Sequence, residues 1–286
     1  MFSYRHAFHA GNHADILKHL VLVHLLDHFR QKEKAFWFID THAGAGGYDL
    51  RGEYAKKSGE SKSGIALVWD RKDMPAVLAP WRDEVAKFNL GLGGGEGVPR
   101  YYPGSPRIAM QMLRNHDRVR LFELHSSDSR ELLRSVEGEA PRVIAQAEDG
   151  FEGMTALLPP TARRGMVLMD PSYEDKADYP RVIAALRGGL ERFATGTFMV
   201  WYPQVQRRES QTFPDRLKRV QPKDWLHATL TVKGAGSDGL GLNGSGIFII
   251  NPPWTLPKML AEALPWLVKV LGQDREADFG LENTLR

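Results

Sequence analysis

Two tetrapeptides in this chain set a hydrogen-bond acceptor before a proline and an aromatic ring shortly after it. Asp170-Pro171-Ser172-Tyr173 closes the apolar run in MVLMDPSYE at 166–174, and Asn251-Pro252-Pro253-Trp254 lies further on. The chemistry available to such a group is amine activation. An aromatic exocyclic amine is a poor nucleophile because its lone pair is delocalised into the ring. If the Asp170 carboxylate and the Pro171 carbonyl accept its N–H groups, electron density returns to the nitrogen, which is aimed at an electrophilic carbon. Tyr173 would stack on the ring, and a nucleic-acid base treated this way must be flipped out or unpaired. A plain strand-to-turn reading accounts for Asp170 and Pro171 but leaves Tyr173 without a role.

The elements that must position these residues follow from hydrophobic spacing. From Asn12 to about Lys34, apolar residues recur at three- and four-residue steps behind an Asn12 cap, with Asp15 three residues on; this predicts an N-terminal amphipathic helix over 12–34. Seven short apolar runs read as buried strands: Ala35–Asp40, Arg120–His125, Arg142–Ala147, Gly165–Asp170, Thr197–Pro203, Leu226–Val232 and Gly246–Ile250. Helical segments such as Pro106–Asn115, Asp128–Val136 and Tyr179–Ala194 separate them, which argues for an α/β sheet with helical crossovers. Residues 48–104 exceed what a crossover needs, and are expected to form a small, mostly helical insertion with a mobile glycine-rich loop at 91–97. The main domain would then comprise 1–47 and 105–286, with a polar, frayed tail after about Gln273.

Composition narrows the function. Apolar residues make up 42% and charged residues 26% of 286, with no run long enough to span a bilayer, as in a folded, soluble enzyme. The N-terminus has no apolar signal stretch, so a cytoplasmic protein is expected, with monomer as the default state. The absence of cysteine excludes disulfides, thiolate metal sites and a cysteine nucleophile. A net charge of +3 says little about partners, so the distribution of charge matters more. Arg207, Arg208, Arg216, Lys218, Arg219 and Lys223 cluster, and Arg5 sits among His6, His9 and His13; each group suits phosphates, or equally a solvated basic face. His9 and His13 have the spacing of a helical ligand pair, but Gly11 and Asn12 fall between them, and no metal is expected.

The first strand ends in FIDTHAGAGGY, whose glycines allow a sharp turn and close approach to a ligand. No Lys-Ser or Lys-Thr follows to serve a nucleoside triphosphate, and Asp49 stands where a dinucleotide fingerprint needs its third glycine. S-adenosylmethionine fits better, with Asp40 before Gly44 and Gly46. Glu123 ends the second strand, where a carboxylate can accept both ribose hydroxyls, and Asp149 ends the third, where an acceptor can read an adenine amino group. Any one of these acids could simply start a loop or cap a helix. Asp170 ends the fourth strand and would face the transferable methyl group.

These motifs resemble those of the RlmJ family of 23S rRNA adenine-N6 methyltransferases. The resemblance runs through SYRHAFHAGNHADILKH at 3–19, DTHAGAGGY at 40–48, RYYPGSP at 100–106, ELH at 123–125, EDGF at 148–151, RFATGTFMVWYP at 192–203 and INPPW at 250–254. It implies a class I S-adenosylmethionine-dependent methyltransferase: a Rossmann-like, seven-stranded sheet with its last strand antiparallel and a small helical insertion after the first strand. It implies cofactor contacts from His19, His42, Ser105, Glu123, Asp149, Gly150 and Asp170, with Lys18 a basic neighbour of the site and Asp170 the acceptor for the adenine amino group. It also implies that Tyr4 meets the RNA, where Arg5 and His6 would join it.

Such enzymes use Asp or Asn, Pro, Pro and an aromatic residue, so Ser172 departs from the pattern and its effect does not follow from sequence. The better-spelled Asn251 motif follows the antiparallel strand and should lie at the wrong edge of the sheet. A DNA adenine methyltransferase would use the same tetrapeptide, and a cofactor-binding RNA module without activity is the third reading; the extent of the resemblance favours 23S rRNA, free or in assembly intermediates.

Overall fold

A computed structural model describes residues 6–220, 223–236 and 241–285. The strands are β1 (Trp37–Asp40), β2 (Gly47–Asp49), β3 (Tyr101–Pro103), β4 (Arg118–Phe122), β5 (Val143–Gln146), β6 (Gly165–Met169), β7 (Thr197–Gln204), β8 (Trp225–Thr231), β9 (Gly244–Ile250) and β10 (Asp278–Asn283). The α-helices are α1 (His13–Arg30), α2 (Glu53–Ser58), α3 (Ile65–Val68), α4 (Ala79–Gly91), α5 (Ser105–Met112), α6 (Ser126–Ser135), α7 (Gly150–Leu157), α8 (Asp178–Arg192), α9 (Arg208–Lys218) and α10 (Leu256–Leu271). Among the described residues, no helix is long and apolar enough to cross a membrane.

The main sheet has the order β10-β8-β9-β7-β6-β1-β4-β5. Strand β1 pairs in parallel with both β4 and β6, and β6 in parallel with β7, whereas β9 runs antiparallel to its neighbours β7 and β8. The seven expected strands are therefore present, with the last of them reversed. The sheet has an eighth strand, β10, where the sequence predicts a frayed tail. β10 pairs antiparallel with β8 from Asp278↔Thr231 to Asn283↔Leu226. It is an edge strand whose residues stay partly or fully exposed, so it lacks the apolar pattern that betrays a buried strand; its pairing is held by backbone bonds, by Gly280 N–H donating to Thr229 Oγ1 and by the Lys218–Glu282 ion pair at 2.8 Å.

Helices α1, α4, α5 and α10 pack together on one face, which α6 shares as the crossover from β4 to β5, and α7, α8 and α9 cover the other. The N-terminal helix begins where expected: Asn12 Oδ1 accepts the Asp15 N–H at 2.9 Å. It stops at Arg30, short of the expected Lys34. Unlike a solvent-facing amphipathic helix it is buried on nearly all sides, because the segment at 48–104 packs over it. The ribbon β2–β3 joins the two ends of that segment, and its Ile65, Val68, Trp81 and Val85 enter the same core as the sheet, so it has no separate core of its own. Asn89 holds the start and return of the glycine-rich loop: its side-chain oxygen accepts from Arg100 N and Tyr101 N, and its amide donates to Gly95 O at 2.8 Å.

Asn251 follows β9 at the edge of the sheet opposite the ends of β1, β4 and β6. It adopts φ +53°, and its amide donates to Ala194 O and Gly196 O, both at 2.8 Å, which ties the turn before β7 to the end of β9. Trp254 beyond it is exposed. The Asn251→Ala variant is expected to lose about 2 kcal/mol of stability, from the two lost bonds and the strained backbone angle. Urea denaturation would show this while methyl transfer by the folded protein stays near the parental rate. A folded variant without activity would return this motif to the active site.

Candidate active site

Parallel strands leave an open crevice where chain connections depart to opposite sides, and here that point is β1, flanked by β4 and β6. A cleft opens beyond these strand ends, where a ligand of an open α/β sheet binds. His19, His42, Gly44, Ser105, Glu123, Asp149, Gly150 and Asp170 all line it, as does Lys18. Asp40 and Gly46 do not reach its wall. Asp40 lies beneath, fully buried, where it accepts from Ser105 Oγ at 2.6 Å and from His42 N at 3.2 Å. Burial pushes its carboxyl up to about 7 against those hydrogen bonds. Gly46 instead accepts the Gly104 N–H at 2.9 Å, which positions the start of α5.

The local geometry suits a nucleoside with a neutral environment around it. Gly44 has φ +61°, a value that suits glycine. Its N–H donates to Glu123 Oε2 at 2.7 Å while His125 N donates to Oε1 at 2.7 Å. The Glu123 fork is thus oriented from behind and each oxygen retains a lone pair for a vicinal diol. Burial raises its pKa. At Gly150 a side chain would meet Thr41 O at 1.9 Å, so the first turn of α7 approaches the end of β1 closely. Burial holds His19 and His42 down to about 3, so both imidazoles are neutral. His42 bonds Thr41 Oγ1 at 2.8 Å and His19 Nδ1 bonds Tyr102 Oη at 3.1 Å, leaving the buried His19 Nε2 without a hydrogen-bond partner. An orphaned imidazole nitrogen, an oriented carboxylate fork and glycine-lined walls fit S-adenosylmethionine, which brings hydroxyls, an amine and a carboxylate.

Asp149 is more occupied than a strand-end acceptor need be. Its Oδ1 caps α7 by accepting from Phe151 N and Glu152 N, and its Oδ2 takes the Arg181 guanidinium. A bound adenine amino group would share Oδ2 with Arg181, a partner that has no sequence signature. Arg181 also lies over the Phe151 ring at 4.8 Å, and His42 meets the same ring edge to face.

A second hollow adjoins the first and shares His6, Lys18, Asp170 and Ser172 with it. Asp170 stands at the junction. Lys18 Nζ donates to Asp170 Oδ2 at 2.5 Å and lies 3.0 Å from Asp15 Oδ1. Asp15 also accepts from Gly11 N at 2.9 Å and pairs with His6 Nε2 at 2.9 Å. Burial alone would raise Asp15, but His6 and Lys18 outweigh it and hold its carboxyl well below the usual range. Burial likewise opposes the charge of Lys18, yet Asp15 and Asp170 raise its pKa further. Asp170 is the exception in this chain of charges: burial wins over the pull of Lys18 and its pKa is raised. Sequence reading missed Asp15 as more than a helix-capping companion, and nothing in its spacing marks it as the hub of this network.

Tyr173 does not present a stacking face. It is 2% exposed, its hydroxyl donates to Trp201 O at 2.8 Å, and its ring packs with Tyr179, Trp201 and Phe213. Its φ of +55° turns the side chain into the core rather than over the second hollow. It forms part of the wall there and serves as a buttress, which corrects the expected platform role. Of the residues expected to meet RNA, Tyr4 and Arg5 lie outside the described residues, while His6 lines both hollows. His9 Nδ1 is 3.0 Å from Glu60 Oε1, and His13 is buried, with its pKa lowered to about 4, chiefly by burial.

Comparison with known proteins agrees with this geometry. Residues 33–280 match the family model described as RsmJ: Ribosomal RNA large subunit methyltransferase D, RlmJ. The chain is 44% identical over 271 residues to ribosomal RNA large subunit methyltransferase J of Haemophilus influenzae, covering 95% of this chain and 94% of that protein. It is 44% identical to the protein of the same name from Escherichia coli, covering 93% of each. The crystal structure of protein LPL1258 from Legionella pneumophila superposes with a TM-score of 0.86 at 33% identity, over 96% of this chain and 98% of that one.

The buried Asp40 carboxyl gives a pH test of this arrangement. Its folded pKa of about 7 lies above the ordinary carboxylate value of 3.8, so its ionisation opposes folding progressively as pH rises from the lower value to the higher. Asp40→Asn should therefore gain stability relative to the parent across that interval and level off above it. Urea titrations at pH 5 and pH 8 read the difference, and a gain that does not grow with pH would contradict the assigned environment.

Proposed function

Because the chain belongs to the RlmJ family of large-subunit ribosomal RNA methyltransferases, we propose that it transfers the methyl group of S-adenosylmethionine to the exocyclic N6 of one adenine in 23S rRNA. The observation that carries the reading is the Lys18–Asp170 pair at the junction of the two hollows. The first hollow suits the cofactor, and the second suits an unpaired base. S-adenosylmethionine, when bound, supplies an electrophilic methyl group on a sulfonium.

The residues of the chain do the rest. Lys18 occupies Asp170 Oδ2 and leaves Oδ1 with its lone pairs free for an amine N–H. The Pro171 carbonyl supplies the second acceptor. Together they hold the amine hydrogens and leave its lone pair pointing along the line of attack. Once the new N–C bond forms, the nitrogen becomes acidic and Asp170 is placed to accept its proton, a role helped by the raised pKa. Glu123 fits the ribose hydroxyls of the cofactor, while His19, His42, Ser105 and Gly150 fit the rest of it. His6, with Tyr4 and Arg5 ahead of it, faces the RNA. The substrate is free rRNA or an assembly intermediate in the cytoplasm, because the target base must be accessible to leave its stack, and the protein acts as a monomer.

Incubation with tritiated S-adenosylmethionine and unmodified 23S rRNA or duplex DNA is expected to label N6 of adenine in the RNA alone. Asp170→Ala should reduce transfer by at least about a hundredfold, as loss of a positioned acceptor does. Label on DNA would overturn the substrate, and an Asp170→Ala variant as active as the parent would overturn the mechanism.

A further inference from the structure

The loop after Asp170 is held by contacts that the transfer chemistry does not itself use. Tyr173 adopts φ +55°, a region that a bulky residue occupies only when its surroundings impose it. Its N–H donates to Asp178 Oδ2 at 3.1 Å and its hydroxyl to Trp201 O at 2.8 Å. Its carbonyl accepts from Arg207 Nη1 at 3.0 Å, and the same nitrogen reaches Glu174 O at 3.2 Å. Arg207 precedes the first turn of α9, so it ties the catalytic loop to a separate, well-packed helix. The exposed pair of Lys176 and Glu209 at 3.5 Å runs between the same two elements, although exposed pairs of this kind contribute little.

These anchors matter because of Ser172. The direction of the Pro171 carbonyl depends on the torsions on either side of the peptide that joins it to residue 172. A proline at 172 would fix one of them by its ring, but serine leaves it free. Among the described residues the Ser172 N–H makes no hydrogen bond, and its hydroxyl makes only a long one, accepting from Glu174 N at 3.4 Å. The loop is therefore held from its far side, at Tyr173 and Glu174.

We propose that Arg207 is a positioning residue for methyl transfer, one that fixes the Pro171 carbonyl through the Tyr173 and Glu174 carbonyls and so replaces the rigidity that a second proline would give. This rests on the reading of Asp170 and Pro171 as the acceptors of the amine. Arg207 also lines the second hollow and is exposed, so the competing role is a contact to an RNA phosphate. The two roles differ in what they do to the kinetics. A phosphate contact strengthens RNA binding and is reproduced by any cation, whereas a clamp on two carbonyls sets the rate of the bound complex.

The test measures kcat and KM for 23S rRNA, with S-adenosylmethionine affinity by calorimetry, for Arg207→Ala, Arg207→Lys and Arg207→Ala combined with Ser172→Pro. Arg207→Ala is expected to lower kcat about tenfold, with a smaller change in KM for RNA and unchanged cofactor affinity, as misplacement of a reacting group does. Arg207→Lys keeps the charge but replaces the rigid guanidinium that holds Nη1 between the two carbonyls with a flexible ammonium, so it should also lose kcat. Adding Ser172→Pro to Arg207→Ala should restore part of the lost kcat, and by a larger factor than the same substitution produces in the parent. A raised KM with kcat intact, or the same factor from Ser172→Pro in both backgrounds, would overturn the proposal. If Arg207→Ala does not fold, the lysine variant decides, and parental kcat in it would overturn the proposal. Asp170→Ala separates the two levels: its retaining activity would sink the acceptor reading itself, while its inactivity beside a fully active Arg207→Ala would sink only the clamp.

Discussion

Asp15, Lys18 and Asp170 form a line of alternating charge inside the protein, and the proposed reaction depends on it. A carboxylate removed from water loses several kcal/mol of solvation unless a partner replaces it. In the proposed reaction Asp170 must be both largely desolvated, to act on an amine in the cleft, and ionised, to act as an acceptor. Lys18 reconciles the two by donating at 2.5 Å. Lys18 is itself buried and would be destabilised without Asp15 behind it. Asp15 in turn is satisfied by His6 and by the Gly11 N–H, so the line ends on the backbone of the N-terminal segment.

That dependence explains the placement of the outer elements. Residues 6–12 can hold Asp15 only if they are fixed, and the insertion fixes them. Ile65 N donates to Gly11 O at 2.8 Å, Glu60 accepts from Asn12 and pairs with His9, and the Phe8 ring meets Tyr54 edge-on. The segment at 48–104 therefore does more than lengthen a crossover: it covers α1 and seats the chain that precedes it. On the other side, β6 delivers Asp170 beside the end of β1, and Tyr173, Asp178 and Arg207 hold the loop that follows.

How much of this could be read from sequence depended on whether a residue acts through its own pattern or through an unseen partner. The central strands end in carboxylates after short apolar runs, so Glu123, Asp149 and Asp170 are legible as convergent groups from the sequence. β10 is not, because an edge strand needs backbone pairing rather than an apolar face, and the three-residue strands β2 and β3 are too short to show a period. Lys18 and His19 sit in a helix whose spacing only reports burial, and they stood out through family resemblance alone. Tyr173 was misread because an aromatic residue after a turn does not reveal which way a positive φ will send it. Arg207 looked like one more cation in a basic cluster because its acceptors are backbone carbonyls, which leave no mark in a sequence.

The most direct test of the account is the pH dependence of kcat in Lys18→Met. In the proposed mechanism Asp170 must be ionised to accept the amine, so activity is expected to fall as pH drops through its pKa, and Lys18 is the group that most lowers that pKa against burial. Removing the ammonium should move the acidic limb of the profile to higher pH, with activity recovering toward the alkaline side. A variant whose kcat is reduced equally at every pH, with the acidic limb unmoved, would contradict the claim that Lys18 sets the ionisation of Asp170.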